Sequence, residues 1–377
     1  MTLSRPLKNI WSILFLPATI LSLAACGSGA NFTSVPDNFS NFRRANLLAS
    51  DQPSLTAGQE VLNIGGNAAD ATVAMGFTAM VSLPARMGLE ARGHCVGYDS
   101  ATAKAFSLNF STEDYHALHG LSALHASYGK APWSGILAPA RNLALLGGNP
   151  FSQRLNSEIR NAPAHLVDAQ GQSLPRPIFV KTLEVLRQQP TNYPKFSPFA
   201  EQAKWQNGLS LDAPHTIEHN DTLLAHTQPL EVVSFSNGLK PIVTTNSVIF
   251  GAIDATGLAI SCSAGYATPY GAGWNHALDS AISAPNIPFA LPRNIVGYND
   301  QNQRVRWLAA FDSTIVQSGI LQNWDALLKN NRPASGSTLG YAMSYCPIGL
   351  PNLQVNKDLS CATYSGTLKA LGRASRQ

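Results

Sequence analysis

Three side-chain hydroxyls lie almost together in the chain, Thr244, Thr245 and Ser247, and an apolar strand-like run starts directly behind them. A hydroxyl is a weak nucleophile until a base stands beside it, so the chain must supply one. Other chemistry-bearing groups are less well placed. His215, Glu218 and His219 are metal-ligand types, but Pro214 and Asn220-Asp221 put them in a loop and no third ligand is indicated. His116, His119 and His125 fall near or on a helix, where surface and capping roles are common. Ser127 and Lys130 have a Ser-x-x-Lys spacing, without the signatures that accompany it at acylating serines. Nothing in the sequence calls for a cofactor or a metal.

The chain that must position these groups has 377 residues, of which 13% are charged and 45% apolar. The charged share is half that of an average soluble domain, about 25%, which excludes a disordered solvating chain. A net charge of +4 with no long basic run does not point to nucleic acid. Arg5 and Lys8 precede an apolar run, Ile10 to Leu23, that is short and broken by Pro17. It reads as a secretory signal rather than a membrane span. The run closes on Leu23-Ala24-Ala25-Cys26, which resembles a bacterial lipobox and implies cleavage before Cys26 and a lipid on its thiol. Gly27 is not acidic, so an outer-membrane lipoprotein facing the periplasm is expected. The domains expected are a signal (1–25), a tether (26–50), and one globular body divided into segments 51–243 and 244–377. Besides the lipid-bearing Cys26, four cysteines remain, and an even count outside the cytoplasm argues for disulfides. Cys346 and Cys361 are the easier pair. Cys95 and Cys262 lie in apolar strand-like runs and either pair or stay as buried thiols.

The body opens on a helix signal. Gly65-Gly66 supplies a turn, Asn67 is a strong N-cap, Asp70 sits where the positive helix end favours an anion, and Ala71 to Val81 is small and apolar. Ser54 to Leu62 has the pattern of a short amphipathic helix. Together the segment SLTAGQEVLNIGGNAADATVAMGF (54–77) resembles the opening of gamma-glutamyltransferases, which are Ntn hydrolases. MGLEARGHCVGYDSATAKAFSLNF (87–110) is similar to that family's glycine-rich segment and two strands. LSALHASYGKAPWSGILAPARNLALLGGNPFS (121–152) is similar to its helix, Tyr-Gly turn and Pro-Ala helix. SVIFGAIDATGLAISCSAGYATPYGAG (247–273) resembles the start of its small subunit, a hairpin around an Asp-x-x-Gly turn. The resemblance implies an α/β fold of the four-layer αββα Ntn-hydrolase type.

It also implies a nucleophile freed by self-cleavage, whose own α-amino group acts as base. In the family the nucleophile precedes the turn Asp by seven positions, and counting back from Asp254 reaches Ser247. The scissile bond would then be Asn246-Ser247. Thr244 and Thr245 copy the family's Thr-Thr start but lie three and two residues further from the turn. A hydroxyl facing a cleft at a strand start keeps catalysis open; one packed among side chains closes it. The substrate-holding positions are altered. Ser111 stands where the family has its carboxylate-binding Arg, and Ser280 where it has its ammonium-binding Asp, with Asp279 adjacent. Gly265 and Ala267 replace a supporting Thr and a substrate-contacting Asn, and Ala309-Ala310 replace a Ser pair. The primary expectation is therefore a gamma-glutamyltransferase-like lipoprotein without ordinary gamma-glutamyl transfer. The alternative is a divergent amide hydrolase, or a gamma-glutamyl hydrolase or transferase acting on glutathione-type substrates. The expected partners are the membrane, through the lipid on Cys26, and a small peptide or amide; no nucleic acid is expected.

Overall fold

Helix α2 (Ala68–Ser82) starts where its capping residues require. The Asn67 side chain accepts from the Asp70 N–H at 3.0 Å, and the Asp70 carboxylate accepts from the Asn67 N–H at 3.0 Å. This capping box satisfies two of the N–H groups that a helix start leaves unpaired. Asp70 is fully buried and also accepts from the backbone N–H groups of Lys130 and Ala131, so it fixes the Tyr-Gly turn as well. Helix α1 (Gln52–Asn63) precedes α2, capped by the Asp51 side chain. Behind them come α3 (Ala117–Tyr128), α4 (Trp133–Ile136), α5 (Ala138–Leu146), α6 (Pro177–Gln188) and α7 (Gln317–Asn330).

The computed structural model describes residues 44–111, 116–147, 162–170, 172–188, 211–219, 222–226, 242–243, 246–283, 289–299, 301, 304–311, 317–330, 341–345, 362–365 and 371–376. One antiparallel sheet runs in the order β16 (Leu371–Arg376), β1 (Arg44–Ala49), β7 (Ser247–Ile253), β8 (Leu258–Gly265), β2 (Arg92–Asp99), β3 (Lys104–Phe110). A second runs β15 (Ala362–Ser365), β14 (Tyr341–Tyr345), β13 (Arg304–Phe311), β12 (Arg293–Asn299), β5 (Thr222–His226), β4 (His215–His219). Two short pairs complete the strands: β6 (Ile242–Val243) with β11 (Phe289–Ala290), and β9 (Gly273–Asn275) with β10 (Ser280–Ile282).

The first sheet is covered on both faces, which is why its central strands read as nearly unbroken apolar runs. Val248, Phe250 and Ala252 of β7, with Leu258, Ile260, Cys262 and Ala264 of β8, join the core beneath α1, α2 and α3. The alternate residues Ile249, Ile253 and Ala259 join a second core with Val296, Leu308 and Ala310 of the other sheet. Tyr98 and Tyr298 stack across that interface at 3.9 Å. A buried polar network ties the same two sheets. Asn294 on β12 donates to the Ser263 hydroxyl (2.9 Å) and to the His94 carbonyl (3.2 Å), while Ser263 donates to the Pro292 carbonyl (2.9 Å). Burial pushes the His94 imidazole down to about 4, so the ring is neutral at the pH of life.

Two expectations change. Residues 44–49, taken as the end of a tether, form strand β1 between β16 and β7, with Leu47 and Leu48 fully buried. Ala45 to Ala49 are mostly apolar and a central strand position needs little else. His215 to His219, expected in a loop, form a hairpin strand with β5. Cys346 and Cys361 lie outside the described residues. Cys95 and Cys262 stand directly opposite each other on β2 and β8 and are joined as a disulfide.

That bond closes a long loop, so its loss should be costly, about 2–5 kcal/mol. Denaturant titration of the Cys95→Ala/Cys262→Ala double variant should show that drop, and thiol labelling of the unfolded, unreduced wild type should leave both cysteines unmodified.

Candidate active site

Strand β7 begins at Ser247, and this residue is half-buried. Side chains on this strand alternate between the helix layer and the second sheet. Ser247 shares the parity of Ile249 and Ile253, so it faces the space between the two sheets. Asp254 closes the far end of this strand. The Asp254 carboxylate accepts from the Thr256 N–H (2.8 Å), the Thr256 hydroxyl (2.6 Å) and the Leu258 N–H (3.2 Å). Its other oxygen takes the Ala68 N–H at the start of α2, 2.9 Å away. Gly257 completes the turn at φ +88°, a conformation glycine adopts without steric cost. The turn motif and the helix-start motif are thus one joint, and it fixes the register of the hairpin.

Ser247 pairs with Gly265 across the ladder. The approach is close: a Cβ at position 265 would meet the Asn246 carbonyl oxygen at 2.4 Å and the Ser247 Cα at 2.8 Å. The neighbouring Tyr266 N–H donates to that same Asn246 carbonyl at 3.2 Å. The carbonyl of the Asn246-Ser247 bond is therefore held and polarised by a backbone donor, with the Ser247 hydroxyl attached to the adjacent residue.

The row continues sideways. Gly265 pairs with Arg92 on β2, so Arg92 faces the same side as Ser247 with no side chain between them. Strand spacing puts their Cα atoms about 10 Å apart. Ser111, just beyond the Gly93–Phe110 pair, extends the row, and its hydroxyl donates to the Gly93 carbonyl at 2.9 Å. Arg92 was not singled out from the sequence. The signal was an Arg opening an apolar strand two positions before His94, hence on its face.

Two carboxylates lie in the connecting segments. Glu90 is buried, accepts from the Ser283 N–H at 3.2 Å, and is pushed by burial up to about 7. Asp279 is also buried, but its oxygens are engaged from within. Arg176 Nε donates at 2.9 Å, His165 Nε2 stands at 2.9 Å and Trp274 Nε1 at 3.2 Å. Ser280 points the other way and accepts from the Leu89 N–H at 3.0 Å. The structure therefore brings Ser247 and Ser111 into one row and places Asp279 and Ser280 in a separate packed joint. Thr244 and Thr245 lie outside the described residues, as does Cys26. His219 pairs with Asp325 at 2.9 Å and His215 stacks on His226, so the histidines of β4 have side-chain partners. Among the described residues no group of three or more His, Cys, Asp or Glu could hold a metal.

The architecture matches cephalosporin acylase from Bacillus halodurans with a TM-score of 0.64 at 11% identity, over 96% of this chain and 99% of that one. The chain has an Ntn-hydrolase fold. A structure of LmbA2991 matches with a TM-score of 0.59 at 11% identity, over 78% of this chain and 83% of that one. Gamma-glutamyltranspeptidase from Pseudomonas nitroreducens, complexed with L-DON, is also among the neighbours. It matches half of this chain (50%) and 71% of its own, at 21% identity and a TM-score of 0.41. No family model matches the chain, and no curated protein is similar to it in sequence. In this Ntn fold Ser247 occupies the start of a central strand and faces the space between the sheets.

Glu90 carries a pH signature. The unfolded carboxyl ionises near 4.5 and the folded one near 7, so the native state holds the proton longer. Stability should fall as pH rises between those values and level off above them. Glu90→Gln keeps an acceptor for Ser283. In urea titrations it should match the wild type near pH 4 and exceed it by about 2–3 kcal/mol near pH 8.

Proposed function

We propose that the protein is a divergent amide hydrolase of the Ntn type that matures by cutting its own Asn246-Ser247 bond. The observation that carries this reading is the backbone geometry at that bond: a half-buried serine at a strand start, beside a carbonyl held by the Tyr266 N–H against Gly265. In maturation the Ser247 hydroxyl adds to the Asn246 carbonyl carbon, its proton passes to the Ser247 nitrogen, the C–N bond breaks, and the acyl group moves to oxygen as an ester. Water then hydrolyses the ester, leaving the Asn246 carboxylate and a free Ser247 amine. The Tyr266 N–H faces the oxygen on which negative charge develops, a role whose loss typically costs about 10²–10³ in rate. In turnover the amine takes the hydroxyl proton, Ser247 forms an acyl-ester with the substrate, the amine product leaves with the proton, and water releases the acid. The four-layer αββα arrangement, with a second helical layer outside the second sheet, belongs to the same proposal.

Ordinary gamma-glutamyl transfer is not part of it. Ser111 offers a hydroxyl where an Arg fork would grip a carboxylate, and Asp279 is bound by Arg176 and His165. Arg92 instead supplies a cation one strand nearer the nucleophile, which suits an acyl group ending in a single negative charge. The same proposal places the enzyme outside the cytoplasm, held to the outer membrane by a lipid on Cys26. The Cys95–Cys262 disulfide supports an oxidising compartment.

Wild-type protein should resolve on a denaturing gel into two fragments and hydrolyse chromogenic anilides, while Ser247→Ala stays as one chain and is inactive. Gly265→Ala should slow the cut by at least tenfold, since its methyl would displace the Asn246 carbonyl. Arg92→Ala should raise KM for an anionic acyl anilide and leave that for a neutral one unchanged. An uncut, inactive wild type would leave a binding protein on an Ntn scaffold.

A further inference from the structure

On the far side of the Asp279 joint, two imidazoles from separate segments meet. His165 Nε2 stands 2.9 Å from Asp279 Oδ1, and the pair is asymmetric in exposure: the His165 side chain is 45% exposed, the Asp279 side chain 3%. The buried carboxylate is neutralised by Arg176, itself buried and seated over the Phe179 ring at 4.3 Å. Asp279 is thus anchored from behind and cannot swing with its histidine. Accepting the Nε2–H fixes the His165 tautomer and leaves Nδ1 with its lone pair. The His276 ring lies 6.0 Å away, centroid to centroid. His276 is exposed and rides on a stiff turn. Asn275 Oδ1 accepts from the Ala277 and Leu278 N–H groups at 3.0 and 3.2 Å, and Asp279 holds a left-handed φ of +52°. Trp274 lies edge-on to His165 at 5.7 Å and closes one side.

A nitrogen-bound metal stands about 2.0–2.1 Å from its imidazole nitrogen and so about 3 Å from the ring centroid. Two rings at the observed spacing can therefore share one ion. A buried carboxylate behind an imidazole is the arrangement that orients a metal-binding histidine. From this juxtaposition we infer that His165 and His276 form a two-imidazole site for a divalent ion of the zinc or copper class, with Asp279 as its orienting carboxylate. Protein supplies two ligands and water the others, which is why the pair falls short of a group of three or more ligating side chains. The site is independent of Ser247 and of whether the chain cuts itself.

The test uses tag-free, metal-stripped full chain titrated with zinc in a calorimeter. The wild type should take up one ion per chain, and His276→Ala should bind at least tenfold more weakly. His276 is exposed, so that variant keeps its fold, which circular dichroism checks. His165→Ala should match it, and His215→Ala, on an edge strand of the other sheet, should bind as the wild type does. Uptake by His276→Ala equal to the wild type, or no zinc uptake by the wild type, would overturn the inference.

Discussion

The backbone at Asn246-Ser247 lies against Gly265 with no room for a methyl group, and the rest of the molecule is arranged to keep it there. Close approach of two strands is a property of the whole sheet, not of one residue. The β7–β8 hydrogen-bond ladder sets it. Helices α1 to α3 on one face and the second sheet on the other pack that ladder at native density, which leaves it little slack.

Four anchors hold the sandwich in register around this point. Asp254 couples the hairpin turn to the α2 start, and Asp70 couples that start to the turn after α3. Both are buried carboxylates satisfied by backbone N–H groups, the condition under which a buried charge is tolerated. The Cys95–Cys262 bond fixes β2 to β8 on the helix side. The His94–Ser263–Asn294 network fixes the same strands to β12 on the other side. Its members lie one row below Ser247, Gly265 and Arg92, so they set the floor of the proposed site.

Much of this was legible because it is local. The α2 cap is written in four consecutive residues, and the Asp254 turn fixes Ser247 by counting along one strand. What escaped was long-range or ambiguous. Nothing near Asp279 announces Arg176, 103 residues away, so a residue expected to hold substrate holds the fold as well. Arg92 was hidden in a segment read for its glycines, although its two-residue offset from His94 marked its face. His215 to His219 carried a strand signal in the two polar residues before β5, which join two strands as a hairpin. Strand β1 follows a polar tract, and its burial comes from partners more than 190 residues away.

The central claim is that this closely held peptide bond is a cleavage site. N-terminal sequencing and intact mass of the purified mature protein measure it directly. The account predicts a fragment that begins with Ser247. A single uncut chain, or a fragment that begins with Thr244, would contradict it.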